Sequence, residues 1–211
     1  MSTFADKIEK RTMKLAIMTK STFFVEEDKI LATLFEAGLD NLHLYKPGSS
    51  PIYSERLLSL LPDTAYDKIT VHEHFYLKDE YRLAGIHIDT PDERPPFGYK
   101  GRISATCRDI SKLKDMKRKF TYVFLANVFN YGDTKPTLNM NELEEAARHG
   151  LIDKHVFALG GINDNNIQTI KDLGFGGVVI CEDLWKKFDI HNQRDYKELI
   201  SHFERLKKLV Y

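Results

Sequence analysis

The segment Ala158-Leu159-Gly160-Gly161-Ile162-Asn163-Asp164 is the part of this sequence best suited to hold an anion. Paired glycines let a backbone approach a ligand closely, and a helix starting beyond them would aim unpaired N–H groups at it. A second glycine-rich run, Gly174, Gly176 and Gly177, leads to Cys181-Glu182-Asp183. The plainer reading of both runs is a tight turn that merely needs glycine. Histidines form the other group: His43, His72, His74 and His87, with Glu73 and Asp89 nearby. On an extended segment His72 and His74 would share one face, as the ligands of a metal-dependent hydrolase can. His-x-His is nevertheless short and common. Cys107 and Cys181 both end apolar runs, and Arg108 beside Cys107 could depress the pKa of a thiol nucleophile. Lone cysteines are more often small buried residues.

The elements that must position these groups follow one cycle, a short β-type run and then an amphipathic run. Leu15 to Met18 comes first, then Val25 to Ala37, which puts Ile30, Leu31, Leu34 and Phe35 on one helical face and stops at Gly38. Leu42 to Tyr45 is next, with Ser54 read as the cap of a run carrying Leu57, Leu58, Leu60 and Leu61. Further strands are expected at 68–72, 85–88, 102–106, 122–126, 155–159 and 177–181. The Pro-rich piece 91–98 replaces a clear helix after the fourth strand, whereas helices are expected from Met140 to Arg148 and along the C-terminus through Leu199, Phe203 and Leu206. Strands alternating with helices imply parallel pairing, because each crossover needs a helix to cover the sheet. Eight units point to an α/β fold, a single-domain (β/α)8 TIM barrel over 13–211, with a doubly wound open sheet as the alternative. Residues 1–12 are read as an N-terminal extension, since Met13-Lys14-Leu15 is a natural start for the first strand.

Composition narrows the partners. The 31 Lys and Arg balance 31 Asp and Glu, which argues against nucleic acid or an anionic membrane surface. With 42% hydrophobic residues the chain can bury a sizeable core, and two cysteines suit a reducing cytoplasm. There is no signal-peptide pattern and no apolar run long enough to span a bilayer. The basic run 112–119 alternates with Leu113 and Met116, as on the wet face of a helix. Trp185 is expected to pack against the last helix.

Gly160-Gly161-Ile162, the preceding Lys135 and Gly85-Ile86-His87 resemble the thiamine phosphate synthase family and its non-synthase, TenI-like relatives. The resemblance runs from Met13 onward and implies one (β/α)8 barrel. It also implies a cytoplasmic transferase that joins hydroxymethylpyrimidine pyrophosphate to a thiazole phosphate with magnesium, releasing pyrophosphate. Carried over position by position, it gives Lys135 and Thr106 catalytic roles. Substrate contacts would fall to His43, Tyr45, Lys46, His72, Thr134, Gly160, Gly161 and Cys181, and magnesium to Glu73 and Asp92. The family's Gln-x-Arg-x-Lys pattern reads His43-Leu44-Tyr45-Lys46-Pro47 here, so tyrosine replaces an arginine and proline a lysine. A phenol donates one hydrogen bond and carries no charge. Asn127 stands where the related thiazole tautomerases use a histidine, and an amide cannot shuttle a proton as imidazole does, which disfavours that activity. A non-catalytic or regulatory binder of phosphorylated small molecules on the same barrel is the competing expectation. Barrels of this kind can pair as homodimers, although no face of the sequence marks a seam.

Overall fold

The structure, a computed structural model, describes residues 13–90, 92–129, 135–136, 138–189 and 195–211. Residues 1–12 and Thr134 therefore lie outside the described residues. Eight parallel strands close into one barrel in sequence order: β1 (Lys14–Met18), β2 (Leu42–Leu44), β3 (Ile69–Val71), β4 (Gly85–Ile88), β5 (Arg102–Cys107), β6 (Tyr122–Leu125), β7 (Val156–Leu159) and β8 (Gly177–Ile180). Closure comes from β1 pairing with β8, Lys14 opposite Gly177 through Ile17 opposite Ile180. The open-sheet alternative is thereby excluded. Around the barrel run α1 (Glu27–Glu36), α2 (Pro51–Ser59), α3 (Leu77–Glu80), α4 (Leu113–Lys119), α5 (Met140–Arg148), α6 (Ile167–Asp172), α7 (Glu182–Trp185) and α8 (Lys197–Val210). As expected, no helix is found between β4 and β5 among the described residues. None of the described helices is long and apolar enough to cross a membrane.

Strand period explains the two hydrophobic layers. Successive side chains on a strand face opposite ways. Leu15, Ile17, Leu42, Leu44, Ile69, Val71, Ile86, Val123, Leu125, Val156, Val178 and Ile180 belong to the large core that includes the helices. Ala16, Met18, Phe124, Phe157 and Val179 fill the barrel instead. Gly177 makes room there, since a Cβ on it would come within 2.7 Å of the Phe157 ring. Phe157 in turn stacks on Tyr122 at 4.8 Å between centroids.

Local chemistry sets the helix ends. α1 closes in a Schellman turn, with Leu39 N–H donating to Leu34 C=O and Gly38 N–H to Phe35 C=O. α5 opens on a capping box in which Asn139 and Glu142 each accept the other's backbone N–H. Ser54 is not the cap of α2. That helix starts three residues earlier, at Pro51 with Ser50 as N-cap, because proline at the first helical position presets φ and forfeits no hydrogen bond. Ser54 is buried inside it.

Candidate active site

The groups that could act lie at the ends of the strands, where inward-facing positions meet the βα loops. A cavity of about 770 Å³ opens there, its wall including Thr19, Lys20, Tyr45, Asn127, Gly160, Gly161 and Cys181. The loops after β7 and β8 meet in it, as the anion reading of the sequence requires. Gly160 and Gly161 both have positive φ, 103° and 64°. Gly160 C=O accepts from Phe129 N–H, and Leu159 C=O from Val128 N–H, so the loop after β6 is zipped to the glycine loop. The Gly161 carbonyl is held by the side-chain amides of Asn166 at 2.8 Å and Asn163 at 3.3 Å. These bonds fix the loop's shape before any ligand arrives. Asn127 adopts positive φ (57°) at the same corner.

β8 hands over to α7 through Cys181. Its thiol is pushed up to about 11 by burial, so it is protonated at neutral pH and fits the cavity as wall and not as nucleophile. Trp185 is buried, donating its indole N–H to Met18 C=O at 2.7 Å and thereby tying α7 to β1. Asp183, also buried, joins Lys186 at 2.7 Å and His202 of α8. Burial pushes the Asp183 carboxyl up, but the hydrogen bonds from Lys186 and His202 outweigh it and hold the group below its ordinary value. A carboxylate with a depressed folded value stabilises fully above its unfolded pKa and less as pH falls through the folded one. Chemical denaturation should therefore show stability falling below about pH 4. The Asp183→Ala variant should be less stable by about 3 kcal/mol at pH 7 and lack that part of the acid slope. Equal acid slopes in the two proteins would refute this role for the carboxylate.

On the other side of the mouth, Thr19 clips Tyr45 in place: its Oγ1 donates to Tyr45 C=O and accepts from Tyr45 N–H, both at 3.0 Å. The phenol is raised above its ordinary value by burial first and then by the charges of Asp89 and Glu73, so it remains a neutral donor. Lys46, next along, turns away from the mouth into a fully buried ion pair with Glu27 at 2.6 Å. It also donates to Thr22 C=O at 3.0 Å and lies over the Phe23 ring. It is thus committed to the fold, which answers for the strand position opposite Tyr45. Pro47 is exposed.

Glu73 is half-buried and accepts the Lys46 backbone N–H at 3.0 Å. Burial raises its carboxyl, and the negative charge of Asp89 raises it further. Asp89 itself is held through Oδ2 by His72 Nδ1 at 2.6 Å. Asp92, the expected magnesium partner of Glu73, is exposed on the following loop. Lys135 is exposed, and its immediate upstream neighbours lie outside the described residues. Arg108 donates to Asp89 C=O at the mouth, and its positive charge reaches both Tyr45 and His87.

Below the mouth, His43, His72 and His87 are fully buried inside the barrel. His72 bonds Asp89 Oδ2 at 2.6 Å and His43 at 2.9 Å, and His43 reaches the Tyr122 hydroxyl at 2.9 Å. His87 sits between Ser104 and Thr106, at 2.7 and 2.8 Å. Thr106 is accordingly engaged inside the barrel. Burial first, then the neighbouring His72, holds His43 and His87 well below the ordinary imidazole value. His74 does not belong to this group. β3 ends at Val71, the chain turns with positive φ (53°) at His74, and its ring bonds Ser49 C=O at 2.9 Å. The shared face expected of His72 and His74 needed an extended segment that is not there. Cys107 is likewise not at the site: it is one strand position out of phase with Thr106 and lies in the layer between barrel and helices. Burial raises its pKa despite Arg108.

Sequence reading missed Ser104, Tyr122, Thr19 and Lys20, and weighed Arg108 only as a partner of the thiol. Counting back two from Thr106 and Phe124 would have found Ser104 and Tyr122, because period two puts them on the same inner face.

Comparison with known proteins places this geometry. A crystal structure of thiamine phosphate pyrophosphorylase from Bacteroides thetaiotaomicron matches with TM-score 0.87 and 47% identity, covering 93% of this chain and 97% of that one. Thiamine phosphate pyrophosphorylase from Pyrococcus furiosus matches with TM-score 0.73 at 16% identity, over 96% and 97% of the two chains. A 3-hexulose-6-phosphate synthase matches with TM-score 0.64 at 12% identity, over 94% of this chain and 100% of the other. The last two show likeness of fold alone. No protein-family model and no curated protein matches.

Proposed function

Because this chain belongs to the thiamine phosphate pyrophosphorylase family, we propose that it joins hydroxymethylpyrimidine pyrophosphate to a thiazole phosphate. The observation that carries the reading is the positive-φ Gly160-Gly161 loop, opening with Cys181 onto one cavity in a barrel 47% identical to a member of that family. Backbone N–H groups of such a loop suit the thiazole phosphate. The pyrophosphate would lie across the mouth, toward Tyr45, Glu73 and Asp89.

In the reaction the bond from the pyrimidine methylene carbon to the pyrophosphate oxygen breaks, and its electron pair leaves with pyrophosphate. The thiazole nitrogen then gives its lone pair to that carbon. Nothing here needs a protein nucleophile. The protein must place the nitrogen in line and stabilise charge growing on the leaving group. Glu73 and Asp89 would hold magnesium, which supplies that neutralisation when bound. Arg108 at the mouth provides a guanidinium near Tyr45, where the family's arginine is missing, and Lys135 provides a second cation. His43 and His72 lie buried beneath, His72 against the Tyr45 ring.

A binding-only barrel is the second reading, favoured by one observation: Lys46 is spent on Glu27, and Tyr45 and Pro47 leave the segment just after β2 without a free cation. The two readings part on one assay. Purified chain with both substrates and magnesium should form thiamine phosphate, and Lys135→Ala or Arg108→Ala should cut kcat/KM by about 100-fold. Thiazole phosphate binding without any product would leave the binding-only reading standing.

A further inference from the structure

We infer that His43, His72 and His87 form a binding site for one divalent transition-metal ion of the zinc class in the core of the barrel. The inference does not rest on the synthase reading. Its first support is convergence: one ring nitrogen from each histidine lies within 4.8 Å of the other two, and all three residues are buried. The rings come from three successive strands, His43 edge-on to the other two; His72 lies stacked on His87 at 4.2 Å, so one of this pair must turn for both in-plane lone pairs to meet at the ion.

The second support is what holds the opposite nitrogens. A histidine that binds metal through one nitrogen is almost always oriented by an oxygen at the other. Here His72 Nδ1 meets Asp89 Oδ2 at 2.6 Å, His87 Nδ1 meets Ser104 Oγ at 2.7 Å, and His43 Nε2 meets the Tyr122 hydroxyl at 2.9 Å. That leaves His43 Nδ1, His72 Nε2 and His87 Nε2 as the convergent set. The Thr106 hydroxyl, 2.8 Å from His87 Nε2, holds that nitrogen in the metal-free protein and yields it to the ion. Three imidazoles with no thiolate suit zinc, cobalt or nickel, and not magnesium or calcium.

Without metal, His87 bonds Ser104 and Thr106, and Tyr122, His43, His72 and Asp89 form a continuous hydrogen-bond chain. With Asp89 ionised and the imidazoles neutral, it runs from Tyr122 O–H to His43 Nε2, from His43 Nδ1–H to His72 Nε2, and from His72 Nδ1–H to Asp89. Metal binding then requires that the His43 proton move from Nδ1 to Nε2, that His87 Nε2 give up its bond to Thr106, and that the stacked pair of rings turn toward the ion. The Tyr122 hydroxyl turns toward Ser104 or Thr70, which also lie against it. No proton is gained or lost. The 2.9 Å between His43 Nδ1 and His72 Nε2 would open to about 3.3 Å, the separation of two ligands at 2.0–2.1 Å from a tetrahedral ion. Such an ion would tie together the ends of β2, β3 and β4. It would also return positive charge beneath Tyr45, whose ring touches His72 at 5.3 Å between centroids.

The test uses the whole chain, stripped with a chelator and titrated with Co²⁺ while visible absorption is followed. One Co²⁺ per chain with the strong bands of a four-coordinate ion is expected, displaced by Zn²⁺. His72→Asn and His87→Asn should weaken that binding by roughly 100-fold or more, and His74→Asn should leave it unchanged. Where a variant does not fold, X-ray absorption of the zinc-loaded native chain decides instead, by counting imidazole ligands. Three imidazoles support the site. Failure of the native chain to take up Co²⁺, binding unchanged in folded His72→Asn, or fewer than three imidazoles would overturn it. None of these measurements reads thiamine phosphate formation, so the two readings fail separately.

Discussion

Replacing Lys46 by methionine should destabilise the fold by about 3–5 kcal/mol, lowering the melting temperature by roughly 6–20 °C, while leaving thiazole phosphate binding unchanged. The ammonium is fully buried and 2.6 Å from Glu27 Oε1, with Thr22 C=O as its other acceptor. Burial lowers the lysine and raises the glutamate, each change being opposed by the partner's charge. Glu27 Oε2 has no hydrogen-bond partner at all, so the carboxylate depends on Lys46. Removing the cation strands it in an apolar layer beside Phe23. That is the costly way to break a buried pair, whereas exchanging both members for apolar residues is often close to neutral. The double variant Lys46→Met with Glu27→Leu should accordingly recover most of the lost stability. Calorimetry of the three proteins, with a binding titration on each, separates this role from the substrate contact expected of Lys46. A single variant that melts like the native protein but loses affinity would reverse the assignment.

Gly160→Ala should be the most damaging single methyl at the site. Two costs coincide there. The residue sits at φ 103°, which side-chain-bearing residues rarely adopt, and an added Cβ would lie 2.9 Å from Asn127 Cα and 3.0 Å from Asn127 N. Those are backbone atoms of the adjoining loop, so no side chain can swing away. Either the loops after β6 and β7 part, breaking the Phe129-to-Gly160 and Val128-to-Leu159 hydrogen bonds, or the glycine loop changes shape. Strain and overpacking together predict a loss of about 2–4 kcal/mol in stability. Thiazole phosphate affinity should fall at least about tenfold, because the N–H groups would no longer converge. Gly48 supplies the control. It too has positive φ, 69°, but nothing lies within 4 Å of an added Cβ. Gly48→Ala should cost about 1 kcal/mol and spare the affinity. If both variants bind phosphate equally well, the Gly160 loop is not the anion site.

The barrel itself was legible because it rests on two periods that survive in a single sequence. Alternation on the strands and the Ile30, Leu31, Leu34, Phe35 face of α1 gave eight units in order, including the missing helix after β4. Boundaries slipped where a cap competed: Ser54 looked like a helix start, but Pro51 set it earlier. The glycine loop was legible for the same local reason, since its conformation is written in the residue type. His74 was misread because periodicity cannot show where a strand stops, and one residue in the left-handed region turns the ring elsewhere.

What this sequence determines by itself is the order of elements, the inward and outward face of each strand, and the loops where an anion can sit. These depend on neighbours along the chain. The partnerships were decided by tertiary structure. Only closure of the barrel brings Asp89, His72, His43 and Tyr122 from four strands into one connected chain, and only the approach of the start of α1 to the segment after β2 gives Lys46 a buried carboxylate. Charges and ring nitrogens select partners across space at a few ångströms, and separations of 17 to 79 residues carry no trace of that in the sequence.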